Sequence, residues 1–119
     1  MAGHLLVTDL PAEKAYRLAR RVAADLQYEV QPFDDHAFTA QKGSLAASIF
    51  VGAFIAYCNF KIYVDERRAD TEIRIERNSP WWTGIIGVNR VKTRVKELAN
   101  ALADRIEDEG SRVLKERDF

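Results

Sequence analysis

Residues 43–64 read GSLAASIFVGAFIAYCNFKIYV, and how this stretch folds decides the reading of the rest of the chain. It has no charged residue before Lys61, in a protein of which 30% of residues are charged. The 18 uncharged residues from Gly43 to Phe60 reach the lower limit for a membrane-spanning helix. The second half, however, alternates. Phe54, Ala56, Cys58, Phe60, Ile62 and Val64 fall on one parity, and Ile55, Tyr57, Asn59, Lys61, Tyr63 and Asp65 on the other. A period of two puts these sets on opposite faces of a β-strand. A spanning helix has no use for that alternation, and Ser44, Ser48, Gly52 and Asn59 dilute its apolar character. The stretch is therefore read as the central strand of a sheet. Its first part, Ser44 to Val51, fits either a buried strand or a short helix with Leu45, Ile49 and Ala53 on one side. Gly52 marks a bend or bulge between the two parts.

Working outward, Thr71 to Arg77 alternates in the same way, with Ile73 and Ile75 opposed to Glu72, Arg74 and Glu76. It predicts an amphipathic strand, hairpin-paired to the central one across the charged turn Glu66–Asp70. Tyr28 to Phe33 and Ala37 to Gln41 predict two more strands. The acidic pair between them, Asp34 and Asp35, with His36, is read as turn chemistry, since Asp bonds its own backbone and tolerates turn dihedrals. Gly3 to Thr8 predicts a first strand. Asp9 then offers an N-cap, and Pro11 falls in the first helical turn, where its missing N–H costs nothing. Ala15, Leu18, Ala19, Val22 and Leu26 recur at spacings of three and four, an amphipathic helix over about residues 10–27. Its other faces carry Lys14, Arg17, Arg20 and Arg21, read as a solvated surface. Val88, Val91, Val95, Leu98, Leu102 and Ile106 predict a long helix over about residues 88–109, which Gly110 ends. Ser111 to Phe119 reads as a frayed or weakly helical tail.

At 119 residues the chain suits a single domain, able to build a core without metal or disulfide support. The predicted order gives an α+β fold: a two-layer sandwich, with an antiparallel sheet of about five to six strands and both helices on one face. This order loosely resembles that of helix-grip domains, which open with a Pro-started helix and close on a long C-terminal one. That resemblance rests on element order and implies an apolar-ligand cavity between sheet and long helix. Cys58 is the single cysteine and lies on the apolar parity, which fits a buried, unreactive thiol.

Chemistry is hard to find. Nothing has metal-ligand spacing, and there is no nucleophile elbow, P-loop or dinucleotide fingerprint, so neither a cofactor nor a metal is expected. Eighteen basic and eighteen acidic residues cancel, which removes the electrostatic case for nucleic acid. One local asymmetry stands out. Arg90, Lys92, Arg94 and Lys96 crowd the start of the long helix, where the dipole favours acids, and Trp81 and Trp82 lie just upstream. Together these six residues make a candidate contact for an anion or an anionic membrane surface.

The expected function is non-catalytic: a small module that binds a ligand or partner and self-associates as a homodimer. Ile55, Tyr57 and Tyr63, on the solvent parity of the central strand, are the candidate interface. The alternatives are peripheral membrane docking and a carrier or small enzyme with an apolar cavity. No secretion-signal pattern opens the chain, so a cytoplasmic or membrane-peripheral location is expected.

Overall fold

The computed structural model describes residues 3–42, 58–77 and 84–118, and the side-chain surroundings of all of these except 42, 58, 77 and 84–93. In chain order the elements are β1 (Gly3–Thr8), α1 (Ala12–Asp25), β2 (Glu29–Asp34), β3 (Ala37–Lys42), β4 (Cys58–Glu66), β5 (Thr71–Arg77), α2 (Gly84–Asp108) and β6 (Val113–Asp118). The six strands form one antiparallel sheet in the order β2-β3-β4-β5-β1-β6. With two helices on one face, this is an α+β two-layer sandwich. The strand-or-helix choice at Ser44–Val51 and the expected strand start at Phe54 lie outside the described residues.

The alternation of β4 has its predicted consequence. Phe60, Ile62 and Val64 are buried, while Asn59, Lys61 and Tyr63 are half-buried on the opposite face. Register carries that parity across the sheet, pairing Ile62 with Phe38 and Ile75, and Val64 with Ile73, which in turn faces Leu6. These side chains share one core with Ala15, Leu18, Ala19 and Val22 of α1 and with Val95, Leu98, Ala99, Leu102 and Ile106 of α2. Each fully buried Phe, Leu or Ile contributes about 1.5–3 kcal/mol relative to exposure. Tyr16 of α1 extends this layer towards β3 and the β2–β3 turn. Its ring meets Phe38 and His36 edge-on, with centroids 5.8 and 5.7 Å away.

Two expectations are corrected. Asp9 does not cap α1: its carboxylate accepts a 2.8 Å bond from the Arg112 amide, just ahead of β6. The N-cap is Pro11, in extended backbone (φ −56°, ψ 144°) and without a side-chain cap. The expected tail is also ordered. Residues 113–118 form β6, an edge strand on β1 in which Leu6 faces Glu116 and His4 faces Asp118. Its side chains are mostly exposed, so burial gives the segment no apolar pattern; pairing with β1 creates the strand. Thr8 joins the two, donating to the Arg112 carbonyl at 2.7 Å.

Both helices end in the same hydrogen-bonded turn. After α1, Gln27 and Tyr28 donate to the carbonyls of Ala24 and Ala23, and after α2, Gly110 and Ser111 donate to those of Glu107 and Ile106. This paired closure needs a left-handed residue just past the helix. Gly110 (φ 84°) adopts that conformation freely, and Gln27 (φ 69°) does so against its Cβ. The two sites should respond oppositely. Gln27→Gly should stabilise by up to about 1 kcal/mol, and Gly110→Ala should destabilise by about 1–2 kcal/mol. No atom lies within 4 Å of an added Cβ at Gly110, so its loss would be conformational strain alone. Urea midpoints of the two variants measure both signs.

Candidate functional site

The helix-free face of the sheet collects the residues of opposite parity. Register aligns Asp65, Glu72, Val7 and Lys115 across β4, β5, β1 and β6, and Tyr63, Arg74, Leu5 and Arg117 in the next row. At its centre Tyr63 stands between two neighbours. Phe33, 48% exposed, meets it edge-on with centroids 5.8 Å apart. The Arg74 guanidinium carbon lies 4.8 Å from its ring centroid, within cation–π range. Arg74 also reaches Glu76 at 3.2 Å and Asp65 at 4.0 Å, and Arg67 pairs with Glu72 at 3.0 Å. Partly exposed pairs of this kind contribute about 0–1 kcal/mol each, so the network sets the character of the surface more than its stability. Tyr63 is thus partly covered from within the chain. Ile55 and Tyr57, its companions in the candidate interface, lie outside the described residues.

The basic start of the long helix is described only in part. Trp81 and Trp82 lie outside the described residues, and Arg90 and Lys92 belong to α2 without described side chains. Arg94, half-buried, reaches Glu97 at 3.2 Å across one helical turn. Lys96 is exposed, and its charge acts on Asp118 of β6. The two basic side chains that are described thus already have acidic neighbours. Among the described residues, no helix is long and apolar enough to cross a membrane.

Two constellations were not legible as sites. The first is a charge cluster at the β1–β6 edge. His4 is 7% exposed on the helix side of β1, and both of its ring nitrogens face carboxylates. Nδ1 lies 2.6 Å from Asp118 Oδ1, and Nε2 lies 2.7 Å from Glu116 Oε1. Carboxylates only accept, so both bonds form together when the ring carries a proton on each nitrogen. The Asp118 carboxyl is held below its ordinary value of 3.8, first by the hydrogen bond from His4, then by the charges of His4 and Lys96; desolvation opposes the shift. No sequence signal joins these residues, because 112 and 114 positions separate His4 from its partners.

The second is a pocket on the helix side. Leu10, Lys14, Arg17, Leu18 and Arg21 line it from the start and flank of α1, and Glu109 from the turn after α2; its volume is about 280 Å³. The basic residues are those read from sequence as a solvated helix face. Helical spacing shows that they share a side, but not that Glu109 and two leucines turn this side into a concavity. It also differs from the cavity between sheet and long helix that the helix-grip resemblance implies.

No protein-family model matches the chain, and no curated protein matches it.

The Asp118 shift fixes the sign of a pH effect. A carboxyl with a lowered folded-state value adds stability above its unfolded value, and that stability is lost as pH falls through the folded value. Asp118→Asn should therefore lower the urea midpoint at neutral pH and flatten its decline below pH 3.8. An unchanged neutral midpoint with an unchanged acid limb would show that the Asp118–His4 contact adds nothing to folding.

Proposed function

We propose that the protein is a small non-catalytic binding module that pairs with a second copy through the helix-free face of its sheet. The observation that carries this reading is the aromatic and arginine group at the centre of that face, Phe33–Tyr63–Arg74, with Phe33 48% exposed. Tyr and Arg, with a neighbouring aromatic ring, are the side chains that most often dominate association energies.

Charge distribution favours a like partner. By register, the face presents the bases Lys61, Arg74, Lys115 and Arg117 among the acids Glu29, Asp65, Glu72 and Glu76. A surface with both signs interspersed can complement itself across a two-fold axis, where each residue meets its counterpart's neighbour. The sheet edges serve less well. β2 carries Pro32 and a register shift between Pro32 and Asp34, and β6 is rich in exposed charge; both features resist strand addition.

Area bounds the strength of the pairing. Six strands about 4.8 Å apart, each about six residues of 3.3 Å, present roughly 570 Å² of sheet face. That is below the ≈ 800 Å² per partner of a standard interface, so a micromolar equilibrium is expected rather than an obligate dimer. Sedimentation velocity from about 5 to 500 µM, which brackets that range, should show a concentration-dependent rise towards the dimer. Phe33→Ala should weaken association at least about tenfold, and the exposure of Phe33 keeps the fold intact. A wild-type protein that sediments as a monomer throughout removes the reading.

A further inference from the structure

We propose that the pocket between α1 and the turn after α2 binds a small phosphate-bearing anion. It lies in the helix layer, away from the helix-free sheet face, and does not depend on self-association.

The argument starts from charge without partners. Among the described residues Lys14 and Arg21 form no ion pair, and the one pair made by Arg17 is a 3.3 Å contact with Glu13 in which both side chains are about two-thirds exposed or more. Solvent screens such a contact to about 0–1 kcal/mol, leaving Arg17 free to exchange Glu13 for a better anion. By contrast, Arg20 on the neighbouring face lies over the Tyr16 ring, 5.6 Å from its centroid, and Arg105 is engaged by Asp25 at 2.7 Å. Two unpaired bases and one weakly held one thus share the lining of a single pocket. Glu109 is the single acid there, and it leaves the lining net positive.

The backbone around the pocket agrees. Leu10 and Lys14 flank the first turn of α1, whose N-terminus has no side-chain cap and whose one acid, Glu13, is exposed and turned to Arg17. Uncapped first-turn amides and the positive end of the helix dipole favour an anion. The opposite pole, the C-terminus of α2 beside Glu109, is muted, because the carbonyls of Arg105, Ile106 and Glu107 already accept backbone bonds.

Shape selects the ligand class. Leu10 and Leu18, 6% and 8% exposed, give the pocket an apolar floor beneath its basic rim. A volume of about 280 Å³ is just below that of drug-sized ligand sites, which run from about 300 Å³ upwards, so only a small ligand fits. Two guanidinium forks and an ammonium suit a tetrahedral oxyanion, since Arg grips phosphate bidentately and Lys adds a point charge. The ligand class is therefore a phosphate monoester or diphosphate of small size, either free or as the headgroup of a lipid.

The test uses the intact chain and three probes at constant ionic strength: inorganic phosphate, inorganic pyrophosphate, and phosphatidylcholine vesicles with or without phosphatidic acid. Amide NMR titration should show saturable shifts at Leu10–Arg21 and Glu109–Ser111. Lys14→Gln/Arg21→Gln should weaken binding at least about tenfold, and Arg20→Gln should leave it unchanged. Saturation by the soluble anions without vesicle cosedimentation identifies a free phosphate compound. Cosedimentation that requires phosphatidic acid and is lost in the double variant identifies a headgroup. The proposal is overturned if no probe gives saturable shifts up to about 10 mM, or if the double variant binds as wild type does.

Discussion

Phe60, Ile62 and Val64 must leave water together, and only one side of the sheet has helices to shelter them. That requirement constrains nearly everything else. Because side chains alternate along a strand, a slip of β4 by one residue would drive Lys61 and Tyr63 under α1 and expose the three apolar residues. Burying an unpaired lysine costs several kcal/mol, so the register of β4 is not negotiable. β3 and β5 inherit it through Phe38 and Ile75, and β1 through Ile73 and Leu6. The position of α1 follows as well, since its small residues Ala15 and Ala19 let the helix lie close above the aromatic rows.

With one face committed to apolar packing, charge is distributed over what is left, and it is organised differently in each place. On the helix-free face acids and bases intermingle around Tyr63. At the β1–β6 edge a histidine is held between two carboxylates. Along α1 the three bases Lys14, Arg17 and Arg21 line a pocket with the one acid Glu109, while Glu13 pairs with Arg17 at its exposed side. A net charge of zero therefore conceals three distinct electrostatic environments. The last combines a pocket with a net positive lining, a combination that suits a small anionic ligand.

What could be read from residue order follows the range of the interaction that shapes each element. Thr71–Arg77 and Gly3–Thr8 form the strands expected of them, and α1 follows its stripe of Ala15, Leu18, Ala19 and Val22, because local periodicity and a shared core decide these elements. The turn at Asp34–His36 was equally local: Asp34 accepts a 2.8 Å bond from the next amide. β6 was not legible, since Val113–Asp118 is mostly exposed and owes its form to a strand over a hundred residues earlier. Asp9 was misjudged for the same reason. Its composition fits a helix cap, but the Arg112 amide claims its carboxylate. The candidate interface residue Tyr63 was placed on the helix-free face by parity, whereas its cover by Phe33 and Arg74 depends on how β2 and β5 flank β4. The pocket residues were visible only as a basic helical face; their concavity requires the turn at Glu109.

The placement of β1 between β5 and β6 has a kinetic consequence. Both of its neighbours are distant in sequence, with partners such as Leu6–Ile73 and His4–Asp118. Loop closure on that scale is slow relative to hairpin formation, so the β2–β3–β4–β5 meander can assemble well before β1 is enclosed. During synthesis β1 emerges early and waits for its partners, exposing two unpaired edges in the interval. Pulse-labelling hydrogen exchange would report this as late protection of the Leu5–Val7 amides relative to those of β4. A strand that precedes the meander in sequence is thus enclosed only after the meander has formed.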